Sequence, residues 1–144
     1  MKTYRFAALL EPGDDHGVTV SFPDLPEAIS QGDDRADALA QAEEVLGLTL
    51  LAYLEADRRI PEATTAGTGF VMVTPAPEVA AKLAVIETFR ASGMTQAQLA
   101  TSIGRDGREV RRIISPDHPS KLPALALALR AMGKRLVMSV DDAA

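Results

Sequence analysis

Cysteine is absent from the chain, so neither a disulfide framework nor a cysteine-based zinc site can form. That absence suits a reducing cytoplasm, which is the expected location. Histidine is scarce. His16 and His118 both fall in turn-like stretches, about a hundred residues apart, and do not suggest a catalytic dyad. No apolar run approaches the ~18 residues that a membrane helix needs. The N-terminal stretch MKTYRFAALLEPGDD lacks the apolar region and cleavage site of a signal peptide. Internal repeats and low-complexity tracts are also missing. No catalytic residue, metal site or cofactor is expected.

What is present is an ordinary apolar fraction and an uneven charge. The 144 residues are 47% hydrophobic, enough to build one domain or two small ones. Residues 1–78 hold 5 Lys or Arg against 14 Asp or Glu, a net −9. Residues 79–144 hold 10 Lys or Arg against 6 Asp or Glu, a net +4. An acidic half attracts a basic partner, and a basic half attracts phosphate backbones.

Hydrophobic period places the elements. Tyr4, Phe6, Ala8 and Leu10 alternate with other residues, as do Val18, Val20 and Phe22, which predicts two strands joined by a turn over 11–17. Pro23 and Pro26 cannot donate to a ladder and end the second strand. Residues 28–31 suit a third short strand. Asp33 or Asp34 can cap a helix running from about Arg35 to Arg58, with Leu39, Ala42, Leu46, Leu50, Tyr53 and Leu54 on one stripe. Residues 69–73 read as a fourth strand, after an exposed loop over 60–68. The prolines of Thr74-Pro-Ala-Pro77 mark the expected domain boundary. The expected class is α+β, an N-terminal βββαβ unit over 1–75 followed by an all-α unit over 79–144.

Beyond that boundary the period is helical. Val79, Leu83, Ile86 and Phe89 share a face that stops at Gly93. Thr95-x-x-Gln98 is a capping box for the next helix, which closes at Gly104. Asp106, with Glu109 as its reciprocal acid, caps another that reaches about Ile114. Leu122, Leu125, Ala126 and Leu129 mark a last helix ending at Gly133. Leu136, Met138 and Val140 alternate and predict a short final strand.

Residues 96–115, QAQLATSIGRDGREVRRIIS, resemble a helix-turn-helix DNA-binding motif. Ala100 is small where two helices approach, Gly104 takes the turn, and Leu99, Val110 and Ile113 fix the crossing. In such motifs the second helix enters the major groove, its N-terminal residues reaching base edges. Here those positions are Asp106, Gly107, Arg108, Arg111 and Arg112. Arginine reads guanine through a bidentate contact. Gln96, Arg105 and Lys121 are candidates for backbone contacts.

The whole chain resembles the HicB antitoxin family, in the branch with a C-terminal helix-turn-helix. Gly17-Val-Thr-Val-Ser-Phe-Pro-Asp-Leu-Pro26, Ser30-Gln-Gly-Asp33 and Ala38-Leu-Ala-Gln-Ala42 carry the likeness. The family commonly has glycine after the second proline, where this chain has Glu27. The resemblance implies a partial ribonuclease-H-like fold without a nuclease centre. It also implies a HicA-like partner, a small basic mRNA-cleaving toxin, and a homodimer or higher homo-oligomer on operator DNA. The toxin contact is expected around Phe22, Pro23, Asp24 and Leu25. The alternative function is an orphan transcription regulator whose N-terminal unit senses something else. A magnesium-dependent nuclease built on Asp14, Asp24, Asp33 and Asp34 is disfavoured, because each of these acids sits in a turn or cap where aspartate is expected anyway.

Overall fold

The computed structural model describes residues 1–143. The first two alternating stretches form β1 (Phe6–Pro12) and β2 (Val18–Ser21), paired antiparallel with Leu10 opposite Val20. Their turn is closed by Gly13 N–H donating to Gly17 O at 2.7 Å. β3 (Ile29–Gly32) pairs antiparallel with β2, and β4 (Val71–Val73) pairs antiparallel with β1. The sheet order is β3-β2-β1-β4.

Between β2 and β3 the proline corner makes two successive tight turns. Leu25 N–H donates to Phe22 O at 3.0 Å, and Ala28 N–H to Leu25 O at 2.9 Å. The three-residue step drops Phe22, Leu25 and Ala28 into the core while Pro23 and Pro26 stay exposed.

Helix α1 (Arg35–Glu55) packs on the sheet. Asp34 caps it by accepting from Asp37 N–H at 2.8 Å, and Asp37 accepts from Asp33 N–H at 2.8 Å. The helix stops three residues short of the expected Arg58. Asp57 turns left-handed at φ 56°, and Arg58 N–H reaches back to Tyr53 O at 2.8 Å. That closure ends the helix before Pro61 can act on it. The entry to α1 passes very close to β3. A Cβ added at Gly32 would lie 2.2 Å from Ala38 N and 2.6 Å from Ala38 Cα.

Helix α2 (Pro77–Ser92) begins inside the expected linker, with proline at its first position, and stops at Gly93, φ 71°. It is followed by α3 (Gln96–Ile103), α4 (Gly107–Ile113) and α5 (Leu122–Ala131). Its Leu83 and Ile86 join the core of Phe6, Phe22, Leu25, Leu46 and Leu50. Its Ala81 and Val85 join a second core of Leu99, Val110, Ile113, Leu125 and Leu129. One helix thus serves both hydrophobic clusters. The predicted final strand does not form. Residues 134–143 belong to no helix or strand and pair with neither edge of the sheet.

Lys82 is the one buried charged residue among those described, with 3% of its surface exposed. Its ammonium donates to Arg112 O at 2.9 Å, Ile113 O at 2.8 Å and Ser120 Oγ at 2.7 Å. Three protons meet three acceptors, and two of these are carbonyls at the negative end of α4; Arg112 O also accepts from Ser115 N–H at 3.3 Å. Burial lowers the lysine's pKa to about 8, so the cation persists at neutral pH.

Two substitutions test these contacts. Lys82→Met keeps most of the volume but strands Ile113 O and removes a donor from Arg112 O, and is expected to cost about 2 kcal/mol in urea unfolding. The exposed control Lys121→Met should shift stability by under about 0.5 kcal/mol. Gly32→Ala forces the backbone of β3 off the start of α1, and is expected to lose about 3 kcal/mol by the same measurement.

Candidate partner and nucleic-acid interfaces

The α3–α4 pair is built from local signals. Thr95 and Gln98 form the reciprocal capping box, and Gly104 turns the chain at φ 65°. Asp106 then caps α4 by accepting from Glu109 N–H at 2.8 Å. Glu109 does not return the favour as expected. Its carboxylate instead takes the Arg105 guanidinium at 2.5 Å. Arg105 carries opposite charge one helical turn away, and that attraction outcompetes a single backbone donor.

Val110 and Ile113 of α4 point into the core, so Arg108, Arg111 and Arg112 point outward. All three are exposed, and none forms an ion pair with a described residue. Gly107 opens onto free space, with nothing within 4 Å of where a side chain would begin. Gln96 is exposed at the first position of α3, and Lys121 is exposed at the start of α5. All eight residues expected at a DNA surface are exposed. Asp106 and Arg105 already have internal partners.

The proline corner is placed differently from the partner surface expected of it. Phe22 is 2% exposed and Leu25 is fully buried, so both side chains belong to the core rather than to any surface a partner can touch. Asp24 is half-buried and acts as a latch. Its carboxylate accepts from Thr64 N–H and Thr65 N–H at 2.9 and 2.8 Å, and from both threonine hydroxyls at 2.9 Å. These donations, led by Thr65 N–H, hold its carboxyl below the usual aspartate range. The long connection between α1 and β4 is pinned there. Of the four residues only Pro23 is exposed.

Sequence reasoning also missed Glu27. It has no left-handed φ, so a glycine is not required at this position. Its carboxylate accepts from the Tyr53 hydroxyl at 2.8 Å and lies 3.7 Å from Arg58, which itself stacks 4.1 Å from the Tyr53 ring centre. The Tyr53 hydroxyl, then Glu27's own backbone and Arg58, hold the Glu27 carboxyl below its ordinary range. A polar residue beside a proline corner was the available signal.

Three of the five cations of the acidic half gather at one place, all of them exposed. Lys2, Arg58 and Arg59 line an open groove of about 510 Å³, together with Arg90 of α2. Arg90 donates to Leu54 O at 2.6 Å and lies 3.4 Å from Asp57, and Lys2 lies 3.9 Å from Glu87. At the other end of the sheet, Asp14, Asp15, Asp33 and Asp37 line a depression of about 400 Å³. None of these four pairs with a cation among the described residues. No group of three or more His, Asp or Glu is placed to hold a metal ion among the described residues. His16 and His118 are both exposed. No described helix is long and apolar enough to cross a membrane.

A sequence model for the HicB-like antitoxins of bacterial toxin–antitoxin systems matches residues 5–84, from β1 into α2. The chain belongs to the HicB-like antitoxin family. Similar curated proteins extend the likeness past α2. Antitoxin HicB 2 of Photorhabdus laumondii subsp. laumondii is 41% identical over 135 residues, covering 94% of this chain and 95% of the relative. Antitoxin HicB 1 of the same organism is 35% identical, covering 98% and 90%. Antitoxin HicB of Escherichia coli strain K12 is 33% identical, covering 92% and 96%. This HicB-like chain is therefore an antitoxin of a toxin–antitoxin system, in a family of regulatory antitoxins rather than enzymes.

The Asp24 latch has a measurable signature. Asp24→Ala is expected to speed amide exchange at Thr64 and Thr65 severalfold at pH 7, since both amides lose their acceptor. The folded carboxyl titrates below its unfolded value. Its stabilisation is therefore present above the ordinary aspartate pKa and fades as pH falls through the lowered one. Wild-type protection at the two threonines, corrected for intrinsic rates, should hold at pH 5 and decline only below about pH 4.

Proposed function

We propose that this antitoxin neutralises a HicA-like mRNA-cleaving toxin and represses its own operon. Residues 1–75, a partial ribonuclease-H-like unit, bind the toxin, and residues 79–144, a helix-turn-helix unit, bind operator DNA. The observation that carries the reading is where the charge ends up. Among the described residues, the acids at one end of the sheet form no ion pair, and neither do the arginines of α4. The first surface suits a basic RNA-binding protein, which it steers in and covers. Covering the substrate face is sufficient for inhibition, and no chemistry by the antitoxin is needed. The corner at Phe22, Pro23, Asp24 and Leu25 contributes Pro23 as the exposed contact. The other three hold the corner in shape.

On the DNA side, α4 lies in the major groove. Arg108, Arg111 and Arg112 contact bases, with Asp106 and Gly107 at the helix start. Gln96, Arg105 and Lys121 contact the phosphate backbone. A homodimer or higher homo-oligomer presents two such helices to two half-sites. The setting is the cytoplasm, where mRNA and operator are both reached.

Co-expression with the neighbouring toxin gene tests the first half: growth is rescued by the intact antitoxin and lost with the toxin alone. If the neighbour is harmless, the orphan-regulator reading takes its place. Gel shifts test the second half. Arg108→Ala and Arg112→Ala are each expected to weaken operator binding about tenfold or more, the scale of one lost bidentate base contact. Unchanged affinity in both variants would remove α4 from the groove.

A further inference from the structure

For a helix that has to aim side chains at base edges, α4 is short and lightly anchored. Of its seven residues only Val110 and Ile113 are buried. Burial of two apolar side chains is non-directional, so it resists lifting the helix but does not fix its roll or its slide. Directional contacts have to do that. The Asp106 cap holds the N-terminal end. At the C-terminal end, the Lys82 ammonium is the one side-chain group that bonds to the α4 backbone among the described residues. It comes from α2, and it also holds Ser120 Oγ at 2.7 Å, next to the residue that precedes α5. One buried ammonium thus ties α2, the end of α4 and the entry to α5 at a single point. Arg112 is held there by its own carbonyl, while its side chain is exposed with those of Arg108 and Arg111.

We propose that Lys82 is a positioning residue for base reading. Its ammonium sets the roll and slide of α4, and with them the aim of Arg108, Arg111 and Arg112, without touching DNA itself. Contacts to base edges tolerate displacements of only about half an ångström. Attraction to the phosphates is long-ranged and blind to sequence. Loss of the ammonium therefore degrades discrimination between sequences far more than it degrades affinity for DNA as such. A lysine that served stability alone would lower the folded fraction and leave the preference of the folded molecules intact. The inference rests on the DNA reading of α4 and names the residue that gives that reading its precision.

The test compares binding to the duplex upstream of the chain's own gene with binding to a shuffled duplex of the same composition. Full-length protein is used, at a temperature where circular dichroism shows each variant folded. Lys82→Met should lose about tenfold or more of the preference, the scale of one good bidentate base contact, with the salt slope on the shuffled duplex unchanged. The chain has no cysteine, so Lys82→Cys can be alkylated in urea and refolded. Bromoethylamine rebuilds an ammonium of lysine length and should recover most of the preference, whereas propyl iodide, which adds similar bulk without charge, should not. The wild type gives a third readout that needs no substitution. Burial lowers the Lys82 pKa to about 8, so its charge is present at pH 7 and largely lost at pH 9. The preference should fall across that interval at constant salt. Glu78 on α2, Arg111 and Arg112 on α4, Asp117 and His118 in the loop and Lys121 before α5 are all exposed. Glu109 pairs with Arg105. A preference kept in Lys82→Met and flat from pH 7 to pH 9 overturns the proposal. So does equal recovery with the two alkylating agents, or a salt slope that falls by about one, the mark of a direct phosphate contact. A wild type with no preference removes the DNA reading itself and the proposal with it.

Discussion

Burial on two sides of α2 is the constraint on which the rest of the molecule depends. Leu83 and Ile86 need the sheet and α1 to cover them, while Ala81 and Val85 need α3, α4 and α5. Neither half can complete its core without this helix. A chain with opposite net charges in its two parts is held together here by apolar contact, and the ion pairs Lys2–Glu87, Arg90–Asp57 and Arg5–Asp141 that also cross between the parts lie at the surface, where water screens them. The polar contacts around the joint are arranged on top of that burial. Arg90 reaches Leu54 O, and the Tyr4 hydroxyl donates to Glu87.

From the same helix, Lys82 sets the position of α4. A seven-residue helix has little stability of its own, since nucleation is costly and few of its hydrogen bonds are internal. α4 is kept in place by the Asp106 cap at one end and by the Lys82 ammonium at the other, with Val110 and Ile113 buried between them. Its three outward arginines therefore stand on a fixed base. The acidic surface has a comparable support. Gly32 lets α1 approach β3 closely, and Asp24 and Glu27 spend their carboxylates on tying down the loop and the corner.

Features that rest on neighbours in sequence were legible. The alternation of β1 and β2, the caps at Asp34 and Asp106, the Thr95–Gln98 box and the stops at Gly93 and Gly104 all depend on residues within a few positions. What escaped depends on distant pairing. Asp24 looks like a turn residue until Thr64 and Thr65, forty residues on, arrive beside it. Lys82 reads as one more solvated lysine until the end of α4 closes over it. Phe22 and Leu25 sit in a conspicuous motif, but a three-residue turn period sends them inward. The end of α1 was misplaced because Pro61 was the visible stop, whereas a left-handed Asp57 acts four residues earlier.

The absence of tryptophan leaves Tyr4 and Tyr53 to dominate the chain's ultraviolet emission over its weakly emitting phenylalanines. Each phenol is bound to a carboxylate at a different joint. Tyr4 meets Glu87 where the N-terminal segment touches α2, and Tyr53 meets Glu27 where α1 meets the proline corner. Burial and the Glu87 carboxylate push the Tyr4 phenol well above its ordinary pKa. Loosening either joint frees one hydroxyl from its acid and changes the emission of one ring. The molecule thus carries two built-in optical labels, one at each seam, and its joints can be followed in solution without attaching a dye.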